Sequence, residues 1–259
     1  MEKRSSFSIF LSVQNALFLR ELNMRFSSGR MGIFWTFFEP FFQIMVFIII
    51  KVAPFGRANS DFDFAVFLAL NFTAFNMFKN IVIKSTGAFK ANKALFLYKQ
   101  VKPIDTILAR TMIEVFITTI IIAIFISIGL YFDFEMEIKD FSMVAMGFIF
   151  LIIFSLSLSI FLAVLSTFIE SVSRLIGFVM TALMFTSAVF FSIEMLPLKL
   201  QTLIMYNPLA HFMTMIDGAY FYALDDHLVS YGYMFLWTFS LLYLGLWSYI
   251  KLEKRIISA

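Results

Sequence analysis

Cysteine is absent from the sequence, which excludes disulfide bonds and thiolate–metal sites. Charged residues are also scarce, at 14% of 259 positions, whereas soluble domains carry about 25%. The remainder is strongly apolar, since hydrophobic residues make up 61% of the chain and the mean hydropathy is +0.90. A soluble globular core does not account for this composition, which is typical of an integral membrane protein.

Long apolar runs divide the chain into predicted membrane spans. A spanning helix needs roughly 20 mostly apolar residues, and six runs meet that length within a few residues. They are residues 37–53, 64–83, 106–131, 141–169, 175–191 and 233–252. The runs are continuously apolar, whereas the strands of a transmembrane barrel alternate. The predicted fold class is therefore an all-α membrane protein with six transmembrane helices.

The chain is expected to form one transmembrane domain, residues 1–259. On a helical wheel of the N-terminal segment, Gln14, Glu21 and Arg25 lie between two apolar faces, which favours an interfacial helix with lipid on one side and protein on the other. The predicted parts are residues 1–36 (cytoplasmic interfacial helix), 37–191 (helices 1 to 5), 192–232 (periplasmic gate hairpin) and 233–259 (helix 6 and cytoplasmic tail).

The distribution of positive charge sets the predicted orientation. With both termini inside, sixteen of the 20 Lys and Arg residues lie in cytoplasmic loops or at cytoplasmic helix ends. The four outside are Lys51, Arg57, Lys139 and Lys199. Both termini are therefore expected in the cytoplasm. The net charge of +3 follows from this asymmetry and gives no indication of nucleic-acid binding.

A basic segment, residues 84–110, lies between the second and third apolar runs. Aromatic residues such as Phe96 and Tyr98 alternate in it with Lys90 and Lys93. Lysines alone would serve to set the topology and to bind anionic lipid. The aromatic residues favour a short helix that lies on a partner protein, and the sequence leaves both interpretations open.

The longest outer segment contains two short apolar helices on either side of Asn207 and Pro208, because the residue before a proline is disfavoured in the α conformation. Each helix is too short to span the membrane, so a re-entrant or outer-leaflet hairpin is expected. With Pro197, these residues would form an outer gate. His211 is interpreted either as a hydrogen-bonded histidine in a first helical turn or as a proton relay or ligand.

Polar residues are sparse within the predicted spans. Asn71 and Asn76 lie on the second, and Arg110 and Glu114 lie one turn apart on the third, where an intramembrane ion pair is predicted. Ser155, Ser159, Ala163 and Ser166 form a small-residue stripe on the fourth, which indicates close helix packing. No metal site and no catalytic residue is predicted.

Three separated motifs resemble one known family. The strings GRMGIFWTFFEPFFQIMVF at 29–47, ANKALFLYKQVKPIDTILAR at 91–110 and YNPLAHF at 206–212 are similar to the membrane permease of type-2 ABC exporters for capsular polysaccharide. The resemblance implies a homodimer in a bacterial inner membrane with two cytoplasmic ABC ATPase subunits and a lipid-linked polysaccharide as cargo. Periplasmic and outer-membrane export components would be further partners.

No GxxxxGK[ST] phosphate loop occurs in the sequence, so no cofactor is expected on this chain, and ATP and magnesium would bind the partner ATPase. By the resemblance, contact with the ATPase falls on Arg30, Lys90, Asn92, Lys93, Tyr98 and Lys99. A sugar polymer favours a corridor with aromatic faces and few deep polar sites. Its candidate residues are Asn71, Asn76, Tyr131, Tyr206, Tyr220 and Tyr222. The outer gate of the family corresponds to the hairpin with Pro197, Asn207, Pro208 and His211.

Three alternatives stay open at this point. Exporters of O-antigen or teichoic acid share much of this plan, so the cargo is left open among these polysaccharides. An ion channel or proton-coupled secondary transporter would use buried carboxylates, for which Glu114 is the one candidate. A membrane enzyme such as a glycosyltransferase would need paired carboxylates or a metal cluster on one face, and the sequence shows neither.

Overall fold

The computed structural model describes residues 5–26, 30–55, 63–134 and 136–258. These ranges contain helices and connecting turns and no strand, which confirms the all-α class. The α-helices are α1 Ser6–Phe26, α2 Arg30–Phe55, α3 Phe64–Thr86, α4 Ala88–Ala91, α5 Pro103–Tyr131, α6 Phe141–Phe168, α7 Glu170–Thr186, α8 Leu198–Ile204, α9 Pro208–Tyr220 and α10 Tyr231–Ser258. Two short 3-10 helices, Lys93–Leu97 and Ile193–Met195, lie in the loops.

Four of the described helices are long and apolar enough to cross a membrane, namely α3, α5, α6 and α10. They coincide with the second, third, fourth and sixth predicted spans. The helices at the first and fifth runs are shorter or less fully apolar: α7 has 17 residues, and within the described residues of α2 the apolar stretch is Phe34–Phe47, which is shorter than a membrane span.

Polar caps fix where the apolar helices begin. Asp63 accepts a hydrogen bond from the backbone N–H of Ala65 at 2.9 Å and so caps α3. Helix α5 begins at Pro103, three residues before the predicted span. Proline suits a first helical position, and the Asp105 carboxylate accepts from the N–H of Lys102 at 2.8 Å.

The main core lies between α3, α6 and α9. Its largest members are phenylalanines, and Phe67, Phe72, Phe75, Phe78 and Phe212 are all less than 2% exposed. Every side chain of α9 from Leu209 to Tyr220 is buried. The outer hairpin is therefore part of the core, with α9 inserted into the bundle, while α8 contributes no buried residue.

The small-residue stripe of α6 confirms close helix packing. Ser159 and Ala163 are fully buried, and the hydroxyl of Ser166 donates across to the carbonyl of Thr86 on α3 at 2.5 Å. On the opposite side, the backbone of α10 comes so close at Gly245 that an added Cβ would lie 3.2 Å from the Phe161 nitrogen. Small residues thus hold α6 against both neighbours.

Candidate functional site

The basic segment folds back onto the inner end of the bundle as α4 and the 3-10 helix that follows it. Phe89 and Phe96 are buried there in a small core with residues of α5, α6 and α10. The aromatic residues that suggested a partner are therefore only partly available to one. Four neighbouring side chains do point outward, and we call them the exposed inner patch: Lys93, Leu97, Tyr98 and Lys99.

Three of the six predicted ATPase-contact residues thus share one exposed surface. The other three are Lys90, Asn92 and Arg30. Lys90 is exposed and pairs with Glu170 at 3.4 Å. Asn92 is only 4% exposed; its amide donates to the carbonyl of Ala88 at 2.9 Å. The side chain of Arg30 lies outside the described residues. Leu97, at 86% exposed, completes the patch and was absent from the predicted set.

Helix α1 is tied to this loop and to α5. The carbonyl oxygen of the Asn92 side chain accepts a hydrogen bond from the guanidinium of Arg20. Val13 and Leu17 pack against Ala109 on α5. The opposite side of α1 is apolar and open, as Phe7, at 69% exposed, shows. Helix α1 therefore has one face on protein and an apolar face outward, and its position at the membrane interface stays a prediction.

Five charged side chains from three helices meet beneath α1 and form what we call the inner charged cluster: Glu21, Arg25, Lys84, Arg110 and Glu114. Glu114 is 2% exposed, and it pairs with the guanidinium of Arg25 and, at 2.9 Å, with the Lys84 ammonium. The guanidinium of Arg110 pairs with Glu21 at 3.0 Å and also donates to the carbonyl of Lys84.

The predicted intramembrane pair of Arg110 with Glu114 is therefore wrong, although both residues are ion-paired. An i,i+4 pair with the cation first is the weaker orientation on a helix. A buried carboxylate also needs several donors to offset its desolvation. Two cations supplied by α1 and α3 satisfy Glu114, and Arg110 is left to bind the carboxylate that α1 brings.

Electrostatically the cluster is nearly balanced, with three cations around two carboxylates. Burial lowers the pKa of Arg25 to about 10, and the Glu21 carboxylate opposes that shift. Arg25 therefore stays charged at neutral pH. Sequence reasoning missed the cluster because its partners lie far apart in the chain. The available signal was the polar strip of α1, where Gln14, Glu21 and Arg25 repeat on one side of the helix.

The outer hairpin has the helix break predicted at Asn207 and Pro208. The Asn207 side chain accepts from the N–H of Leu209 at 3.0 Å, which caps α9, and donates to the hydroxyl of Ser187 at 2.8 Å. Pro208 takes the first helical position, and Pro197 precedes α8. The break is thus locally fixed and also anchored to the turn after α7.

His211 is a buried cross-link, which agrees with its interpretation as a hydrogen-bonded histidine. Its Nε2 lies 2.8 Å from the carbonyl oxygen of Met205, and its Nδ1 accepts from the N–H of Ser230 at 3.2 Å. Both ring nitrogens are therefore occupied, with the proton on Nε2. The described residues contain no group of three or more His, Asp or Glu that could hold a metal ion.

The predicted polymer-path residues fall into different surroundings. Asn71 is buried and donates to the carboxylate of Asp217 on α9 at 2.7 Å. Asn76 donates to Gln43 on α2 at 3.2 Å. Tyr220 is buried, whereas three tyrosines are exposed: Tyr131, Tyr206 and Tyr222. The structure does not gather these residues into one surface.

Comparisons with known proteins place the chain among membrane transport proteins. The sequence model of the ABC-2 type transporter family matches residues 12–221. The polysialic acid transport protein KpsM of Escherichia coli is 30% identical over 99% of both chains.

Two capsule polysaccharide export inner-membrane proteins are similar over nearly the same extent. CtrC of Neisseria meningitidis serogroup B is 28% identical over 97% of this chain and 95% of its own. BexB of Haemophilus influenzae is 26% identical over 94% of this chain and 92% of its own. The similarity therefore runs from end to end and is not confined to one motif.

Proposed function

The chain belongs to the ABC-2 type transporter family, and we propose that it is the membrane-spanning permease of an ATP-driven exporter of lipid-linked capsular polysaccharide. The observation that carries this proposal is the end-to-end similarity to inner-membrane proteins of capsule polysaccharide export. A bacterial inner membrane is the corresponding location. Exporters of O-antigen or teichoic acid are the nearest alternatives in cargo.

In the proposed topology α2, α3, α5, α6, α7 and α10 cross the membrane, with both termini in the cytoplasm. The four long apolar helices support this arrangement, and α2 has 26 residues, which at about 1.5 Å each exceeds the hydrocarbon thickness. Helices α8 and α9 would form a re-entrant outer gate, which the burial of α9 in the bundle favours.

Movement of the ATPase subunits, driven by ATP, would be transmitted to this chain at the exposed inner patch. A homodimer of this chain would bind two ATPase subunits, which carry ATP and magnesium, and this chain would hydrolyse nothing itself. The patch combines two lysines with an exposed leucine and tyrosine, the composition of a docking surface with an apolar centre. The bond between Arg20 and Asn92 joins this loop to α1, so the two would move together.

The polymer would pass between protomers and leave past the hairpin. Among the predicted path residues, Tyr131, Tyr206 and Tyr222 have ring faces accessible for sugars. Asn71 and Asn76 act instead between helices, where their amides hold α9 and α2 against α3. Sugar contact through these two residues would require the helices to separate during transport.

The proposal is tested in a strain that exports its capsule through this chain and its ATPase. Lys93→Glu with Lys99→Glu should reduce both permease-stimulated ATP hydrolysis and surface polysaccharide at least tenfold, because the charge of the patch is reversed. Lys254→Glu is the matched control, since Lys254 is an exposed lysine near the C-terminal end of α10. Unchanged hydrolysis and surface polysaccharide in the double variant would refute the docking role.

Two functions of other classes give different results. An ion channel or proton-coupled transporter would conduct in liposomes without ATPase. Glu114 lacks the freedom for that role because two cations already bind it. A glycosyltransferase would form product as the purified chain. Either observation would overturn the assignment as a transport subunit.

A further inference from the structure

A polar cavity opens beside the inner charged cluster, between α1, α2, α3 and α5. Its volume is about 260 Å³, far above the 10–15 Å³ that roughly one water molecule needs. One wall carries Trp35 and Glu39 of α2, and the facing wall carries Lys79 and Asn80 of α3. Arg25, Lys84 and Glu114 close the inner side. A space of this size and polarity within apolar helices calls for an occupant.

One cation at the cavity has no carboxylate of the described residues within ion-pair distance. Arg25 and Lys84 are both bound to Glu114. Lys79 is partly buried, and no described carboxylate lies within ion-pair distance of its ammonium. The Glu39 carboxylate attracts the Lys79 ammonium, but from beyond ion-pair distance. A partly buried ammonium without a bonded partner is costly, so the site favours an anion with a single charge.

Unpaired polar groups lie on the same walls. The Asn80 amide and the Thr118 hydroxyl line the cavity, and neither makes a side-chain hydrogen bond to another described residue. The side-chain oxygen of Asn76 is buried without a donor, while its NH2 group is bound to Gln43. Donors for an anion and an acceptor for a hydroxyl are therefore both present.

The cavity borders an exposed aromatic face of α2. Trp35 lines the cavity and is 54% exposed, which suits an interfacial tryptophan. Phe34, Phe38 and Phe42 stack along the neighbouring outer face of α2. Phe38 and Phe42 are 37% and 54% exposed. An occupant with acyl chains could lie along these rings while its headgroup enters the cavity.

We propose that this cavity binds the phosphate headgroup of an anionic membrane lipid, with Lys79 and Asn80 on the phosphate and Asn76 on a headgroup hydroxyl. A free phosphate ion shares the charge but lacks the chains that the aromatic face would hold. The site goes beyond the proposed function, because lipid binding by the chain requires neither ATPase nor polysaccharide. Either claim can therefore fail alone.

The test is native mass spectrometry of the full chain released from nanodiscs that contain equal phosphatidylglycerol and phosphatidylethanolamine. One phosphatidylglycerol per protomer should be retained in preference to phosphatidylethanolamine. Lys79→Gln should weaken that retention about tenfold or more, since a charge-assisted contact is lost. Lys79→Arg should restore it. Lys251→Gln, an exposed lysine over Trp247 on α10, should behave as the unmodified chain does.

Equal retention of the two lipids, or an unchanged preference in Lys79→Gln, would overturn the proposal. Displacement of the lipid by millimolar inorganic phosphate would refute a lipid as the ligand, because the site would then recognise phosphate alone. Helix content and elution volume show whether each variant folds. If Lys79→Gln does not fold, Asn80→Leu takes its place. Retention of phosphatidylglycerol should then fall in Asn80→Leu by the same amount, and an unchanged lipid preference would refute the proposal.

Discussion

Removing the buried carboxylate of the inner charged cluster should destabilise the protein substantially. In Glu114→Gln the guanidinium of Arg25 and the ammonium of Lys84 lose their shared partner. The guanidinium bears most of the cost, because the Arg25 side chain is 14% exposed. The Lys84 side chain is 41% exposed and can reach water.

Breaking a buried ion pair from one side costs about 3–5 kcal/mol. The accessibility of Lys84 brings the expectation to the lower end, about 3 kcal/mol. Glu170→Gln is the matched control, because it also removes the carboxylate partner of a lysine, Lys90. Glu170 is 77% exposed, so the loss there should be about 0–1 kcal/mol.

The assay is thermal unfolding in one detergent at one scan rate, because membrane proteins often unfold irreversibly. A loss of about 3 kcal/mol corresponds to a fall in Tm of about 6–12 °C for a chain of this size. Adding Arg25→Gln to Glu114→Gln should cost less than the sum of the two single losses, since each single variant already removes the ion pair between Arg25 and Glu114. Equal Tm values for Glu114→Gln and Glu170→Gln would refute the reasoning.

Three further changes are expected to act on packing and backbone. Asp217→Leu removes the bond that joins the Asn71 amide to α9, although the amide keeps its bond to the Phe67 carbonyl, and it should lower stability by about 1–3 kcal/mol; Asp217→Asn keeps an acceptor, so an equal loss in both variants would contradict this account. Ala188 has a φ of 60°, and Ala188→Gly should raise stability by about 0.5–1 kcal/mol; a lower Tm would show that the turn is not strained. Gly245→Leu should cost about 1–3 kcal/mol through collision with α6. Gly177→Leu, with open space at its Cβ, should not, and equal losses would rule out the close approach.

Local patterns predicted much of the fold. Asn207 with Pro208 gave the break between α8 and α9, because its cause lies within two adjacent residues. Ser159 and Ala163 gave the close packing of α6, since a small-residue stripe carries that information by itself. Four predicted spans correspond to long apolar helices for the same reason. Features set by short-range chemistry were accessible from the sequence.

The candidate site was only partly predictable, because its contacts join distant segments. Glu114 and Arg25 are 89 positions apart in the sequence, and the nearest cation along the helix was Arg110. Helical spacing therefore indicated the wrong pair. Phe96 gave a similar difficulty, since an aromatic residue among lysines fits a partner surface and a small internal core equally well. Only the packing of the 3-10 helix Lys93–Leu97 onto the bundle decides that it is internal.

Helix α3 makes polar contacts with other helices at three positions along its axis, which makes it the element best placed to connect the two ends of the protein. Asn71 bonds α9, Asn76 bonds α2 and Lys84 bonds Glu114 on α5. At about 1.5 Å per residue these contacts extend over roughly 20 Å along one stiff helix. If movement of α1 reaches the outer hairpin through α3, Asp217→Leu should retain permease-stimulated ATP hydrolysis while polysaccharide export falls. Loss of both activities in a folded variant, or of neither, would mean that the hairpin is driven by another route.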